Sequence, residues 1–145
     1  MYGPLEYVLF RFDDDRFISE ILPTLIEIEQ RGCARLVDLV FVIKDEGGDF
    51  DLLEIDDLAE EDQAAFQPLR TNLKDMLTQG DVALAANNLP ENSYGAVTLF
   101  EHRWALELRQ AVHASGGQLL DSAYINPQTH AEILADMMQM EAAGA

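Results

Sequence analysis

The chain is short of basic residues. Nine lysines and arginines stand against 27 aspartates and glutamates, for a formal charge of −18 over 145 residues. Proteins that hold DNA, RNA or anionic lipid neutralise phosphate with cations, so these partners are not expected here. Cysteine is scarcer still. Cys33 stands alone, which excludes an intrachain disulfide and fits a reducing, cytoplasmic setting. Its place between Gly32 and an apolar strand predicts a buried structural thiol.

Long apolar runs are also missing. The longest, Leu36 to Ile43, is interrupted by Asp38, and a bilayer-crossing helix needs about 20 residues. No membrane insertion is expected. No basic stretch followed by an apolar run opens the sequence, so no secretory signal is expected either. G-x-S-x-G, G-x-G-x-x-G and Walker patterns do not occur, so no cofactor is expected. The expected reading is not an enzyme.

What is present suits a globular fold. Apolar residues make up 48% of the chain, and its length fits one α+β domain, 1–145, with 126–145 as a C-terminal helix and frayed end. Leu5 to Phe12 (LEYVLFRF) reads as a strand. Asp13 to Asp15 supply cap chemistry for a helix from Phe17 to Arg31, with Pro23 tolerated in a first turn or two or as a kink and Gly32 as its stop. Ala34 to Lys44 reads as a central strand, because its VFVI core is apolar on both faces. Asp45 to Asp49 forms a Gly-Gly turn into a strand from Phe50 to Ile55.

Leu58 to Leu89 is mainly helical, divided by Pro68 and Gly80 into about three pieces. Tyr94 to Phe100 is a strand. Glu101 to Ser115 is a helix with Trp104, Leu108, Ala111 and Val112 on one stripe. Gln118 to Ile125 is a last strand, and Pro127 opens a final helix through Met140. Met137, Met138 and Met140 are expected to pack on the domain or on a second subunit. Residues 5–43 and 94–125 share a strand–helix–strand plan. This predicts ferredoxin-like βαβ units and a sheet of about five strands with helices packed on it.

The block Glu101-His102-Arg103-Trp104-Ala105 carries four functional side chains at a strand-to-helix junction, where open helix N–H groups hold anions. It marks His102, Arg103 and Trp104 as the candidate ligand site. The plainer alternative has Glu101 charging the helix start, Trp104 in the core, and His102 and Arg103 on the surface. His102, His113 and His130 match no zinc spacing, so no metal is expected. Asp45 to Asp62 holds ten acids and no base. Its glycines come too early for a calcium loop, leaving a solvated surface or a docking face for a basic protein.

The segment AVTLFEHRWALELRQAVHASGG, with RGCARLVDLVFVIKD before it, resembles the bacterial DUF1269/DUF6325-like group of uncharacterised proteins. Glu101, His102, Trp104, Ala105, Gly116, Gly117 and Asp38 carry the likeness, which covers most of residues 5–125. Some relatives carry a glycine-rich segment after the first strand–helix unit; this chain has none. The resemblance implies a fold and a bacterial origin but no reaction. Together these readings predict an acidic homo-oligomer acting as a structural or interaction protein. The alternative is a small-ligand binding protein or enzyme with a pocket near His102, Arg103 and Trp104, His102 being the acid–base group.

Overall fold

Seven consecutive buried residues, Leu36 to Val42, run through the middle of the second strand. Such a strand needs cover on both faces and a neighbour on each side. The computed structural model, which describes residues 3–70, 73–123 and 131–144, supplies both. Strands β1 (Leu5–Phe12), β2 (Ala34–Lys44), β3 (Phe50–Leu53) and β4 (Ser93–His102) form one antiparallel sheet in the order β1-β4-β2-β3. Helices α1 (Phe17–Glu20) and α2 (Leu22–Arg31) connect β1 to β2. Helices α3 (Glu60–Ala65), α4 (Gln67–Arg70) and α5 (Gln79–Asn88) connect β3 to β4, and α6 (Arg103–Ala114) and α7 (Ala131–Gly144) follow. The fold is mixed α+β. The chain divides into two compact units, Met1–Ala111 and Val112–Ala145.

Two apolar clusters lie on opposite faces of the sheet. On one face, Leu36, Leu39, Phe41 and Ala96 pack with Phe17, Leu22 and Leu25 of α1–α2 and with Phe66 and Leu69 of the α3–α4 region. On the other, Val40, Val42 and Val97 meet Val82, Ala85, Ala86 and Leu89 of α5. Strict alternation would put Leu36 and Leu39 on different faces. A register shift between Leu36 and Asp38 inserts Val37 as a bulge, which returns Leu39 to the Leu36 side. The same bulge turns Asp38 toward the α5 side.

Asp38 guides the chain from one face to the other. Leu73 belongs to the first cluster and Leu77 to the second. Between them the chain passes beside the half of β2 that β3 leaves open, because β3 pairs only with Phe41 to Lys44. Lys74 N–H donates to the Val37 carbonyl at 2.6 Å. Oδ2 of the buried Asp38 accepts from Met76 N–H at 3.0 Å and Leu77 N–H at 2.8 Å. Its Oδ1 accepts from Leu39 N–H at 2.8 Å.

Helix α5 is held at both ends. Thr78 Oγ1 accepts from Asp81 N–H at 3.1 Å, and Asp81 Oδ2 accepts from Thr78 N–H at 2.9 Å, closing a capping box. Lys44 Nζ donates to the carbonyls of Ala86 and Leu89 at 2.8 and 2.9 Å, where a cation complements the helix dipole. The bonds from Thr78 hold the Asp81 carboxyl below the usual carboxylate range. Burial, then the charge of Asp81, hold the Tyr7 hydroxyl above the usual phenol range.

The residues that break the helical regions sit inside the helices that follow. Pro23, Pro68 and Gly80 are each the second residue of α2, α4 and α5. A proline there lacks only an N–H that a first turn leaves unbonded, so the breaks fall earlier, at Ile21 and Phe66. The expected helix from Phe17 to Arg31 is therefore two helices. Gly48 alone of the Gly-Gly pair takes a positive φ, 87°. The Asp45 carboxylate closes that turn by accepting from the Gly47 and Asp49 amides.

Of the expected sheet of about five strands, four are present among the described residues. Residues 118–123 of the predicted last strand form no strand, and 124–125 lie outside the described residues, so a second βαβ unit is not formed by what is described. In the second unit, α7 spans Ala131–Gly144, and Met137, Met138 and Met140 are exposed on it. The Pro127 start lies outside the described residues.

Replacing Asp38 with Ala removes the acceptor of three backbone N–H groups and is expected to cost about 2–4 kcal/mol in urea unfolding, with Asp38→Asn losing less. A loss below about 0.5 kcal/mol would mean that water replaces the carboxylate and the crossing does not rest on it. The Asp81 cap is intact above the ordinary carboxylate range and is lost as pH falls through the lowered Asp81 value. The Asp81 amide resonance should therefore shift at a pH below that of an ordinary aspartate; a shift at the ordinary value would exclude the box in solution.

Candidate functional site

His102 ends β4, and Arg103 and Trp104 begin α6. The junction forms because the Cys33 carbonyl accepts from Trp104 N–H at 3.1 Å and the Pro4 carbonyl accepts from His102 N–H at 2.8 Å. The structure gathers His102 and Trp104 but not Arg103, whose side chain is exposed. His102 Nε2 lies 2.8 Å from Glu6 Oε1. Trp104 Nε1–H donates to His102 Nδ1 at 3.4 Å. With Nδ1 accepting, Nε2 carries the proton and donates to Glu6. Both ring nitrogens are thus engaged, and the imidazole offers no open lone pair for general-base work. The Trp104 N–H, one of the donors an anion at this helix start would use, is already bonded.

Trp104 is 51% exposed and does not enter the core. Leu108 and Ala111 on its stripe are exposed too, and of α6 only Ala105 is buried. Glu101 neither caps nor charges the helix start. It is buried in β4, accepts from Gly3 N–H at 2.9 Å and pairs with Arg35 at 3.3 Å. A side chain at Gly3 would meet the His102 carbonyl, its Cβ lying 2.4 Å from that oxygen, so this close approach requires glycine. Cys33 is exposed rather than buried. It follows Gly32, which turns the chain at φ 74° before β2 begins, so the thiol lies outside the sheet. Among the described residues, no three His, Cys, Asp or Glu side chains are grouped to hold a metal ion.

Four hollows of the described surface are lined by residues other than His102, Arg103 and Trp104. One of about 280 Å³ is lined by Asp38, Glu54, Asp56, Arg70, Lys74 and Asp75, and Arg70 is paired there with Asp56. An apolar groove of about 410 Å³ lies between β1 and α1–α2, lined by Phe10, Phe12, Phe100, Ile21, Leu25 and Ile28. The groove ends at β1, the outer strand of the sheet. Leu5, Tyr7 and Phe10 of that strand are 42%, 47% and 44% exposed. Sequence reasoning missed this surface. The signal was the density of apolar residues of both parities in LEYVLFRF, which reads as an interior strand.

No family model matches the chain, and no curated protein or solved structure matches it.

Removing one partner of the buried Arg35–Glu101 pair leaves a charge in the sheet. Arg35→Met is expected to lower unfolding free energy by about 3 kcal/mol, and adding Glu101→Met should recover much of that loss. Losses that simply add in the double variant would show that the pair is not coupled.

Proposed function

We propose that this chain is a non-enzymatic, cytoplasmic interaction domain that self-associates through the outer edge of β1. One observation carries the reading: β1 is a long, apolar, nearly uncharged edge on a strongly acidic molecule. Among its eight residues are one acid, Glu6, and one base, Arg11. Edge strands that remain single are shortened or guarded by charge. The opposite edge, β3, is so guarded. It has four residues and carries Asp51, with Asp49 and Glu54 beside it. The nearly neutral strip on β1 is where two copies of a −18 chain meet with least repulsion.

The β1–α1–α2–β2 crossover supports a ferredoxin-like unit in the first half of the fold, and the residues around Asp38 and Glu101 support the DUF1269/DUF6325-like likeness. The engaged imidazole of His102 weighs against the pocket reading. The exposed acids between Asp45 and Asp62 favour, as a second reading, docking of a basic protein.

Salt separates the two readings. Raising ionic strength screens repulsion between like-charged copies and strengthens self-association, whereas it weakens an acidic–basic complex. Sedimentation velocity should show a concentration-dependent oligomer, tighter in high salt, and Tyr7→Lys should weaken it by about tenfold or more while the fold is retained. A wild-type chain that stays monomeric at all concentrations and salts overturns the proposal.

A further inference from the structure

The self-association proposed above has a definite geometry, and the backbone of β1 specifies it. In an antiparallel ladder, residues alternate between those bonded to the neighbour and those facing away. The Pro4 carbonyl accepts from His102 N–H at 2.8 Å, which makes 4–102 a bonded pair. With Leu5 opposite Glu101 and Phe12 opposite Tyr94, the bonded residues of β1 are then Glu6, Val8, Phe10 and Phe12. The far side of β4 agrees. The Asp45 amide bonds to Asp49, so odd residues of β2 face β3 and even ones face β4. That commits the odd residues of β4 to β2 and the even ones to β1. Leu5, Tyr7, Leu9 and Arg11 therefore point their N–H and C=O groups outward. Among the described residues no strand lies beyond them.

We infer that a second copy of this chain pairs with β1 antiparallel about a two-fold axis, and that the axis passes through Val8. Two-fold pairing keeps each face of the sheet continuous, so only odd residues can bond to odd. Centring on Val8 sets Leu5 opposite the second copy's Arg11 and Tyr7 opposite its Leu9. All outward groups are then used, giving about eight new N–H···O bonds. Centring on Tyr7 leaves Arg11 unbonded, and centring on Leu9 leaves Leu5 unbonded, for about six bonds each.

The side chains agree with the same register. Glu6 falls opposite Phe10 and Arg11 opposite Leu5, so no like charges face each other. On one face, Phe10 of each copy closes over Val8 and the end of the apolar groove. On the other, Tyr7 packs on Leu9 with Arg11 in diagonal reach, a place for a cation–π contact. The exposed large apolar residues of the strand, Leu5, Tyr7 and Phe10, are all covered at once.

Cysteine cross-linking tests the register separately from self-association. In a Cys33→Ser background, single variants Tyr7→Cys, Val8→Cys and Leu9→Cys are oxidised mildly, after circular dichroism shows each is folded as the parent. Centred on Val8, the two introduced thiols form a widely spaced pair with Cα atoms about 4.5 Å apart, within disulfide range. The Val8→Cys chain should cross-link about tenfold faster than either neighbour. Fastest cross-linking at position 7 or 9 overturns the Val8 axis while leaving β1 pairing in place. An oligomer by sedimentation in which none of the three cross-links overturns pairing through β1. A parent that sediments as a monomer removes the register together with the self-association it rests on.

Discussion

The buried carboxylate of Asp38 is the constraint on which the rest of the fold depends. A four-stranded sheet with a fully buried strand must be covered on both faces, and one chain must reach both. Here the passage is made within a few residues, from Leu73 on one face to Leu77 on the other. A chain crossing an edge exposes amides that no ladder bonds, and leaving them unsatisfied is costly. The Val37 carbonyl and Asp38 carboxylate answer those amides. The bulge at Val37 makes this arrangement available, because without it Asp38 would face the other cluster. At the far end of the same strand, Lys44 holds the last carbonyls of α5. One strand thus holds both the segment that leads into α5 and the carbonyls at the end of that helix, with Val40 and Val42 packed on it between them.

Much of the sheet was legible in the amino-acid sequence. The spans of β1 and β2 are those that their apolar density implies, and Asp45–Asp49 turns where its residue types demand. Local chemistry decides these elements, so local reading finds them. The breaks in the second helical region were misplaced because Pro68 and Gly80 were read as dividers, when each stands in a first turn, as Pro23 does in α2. The stretch 118–123 has strand-like residues, yet strand formation needs a partner edge, which composition does not reveal. Asp38 was visible as an interruption of an apolar run; its partners, 38 and 39 residues away, were not.

The candidate site shows the same division. The block from Glu101 to Trp104 was correctly located at a strand-to-helix junction, but its chemistry is set by residues remote in the chain. Glu6 reaches His102 across 96 positions, and Gly3 reaches Glu101 across 98. These contacts tie Glu101 and His102 into two polar groups, while Arg103 stays exposed. Glu101 is consumed by Arg35 and the Gly3 amide, and His102 by Glu6 and Trp104. Such bonds fix the junction between β4 and α6 and occupy both ring nitrogens of His102.

The crossing segment also bears on how large an assembly this sheet can build. The half of β2 left open by β3 is occupied by the chain's own residues around Lys74, and β3 itself is short and flanked by acids. Only β1 remains unguarded among the described strands. For edge-to-edge growth the described sheet therefore has a valence of one. Under the pairing proposed above, a second copy on that edge would leave no described strand open, and the sheet would stop at a finite stoichiometry rather than extend into a fibre.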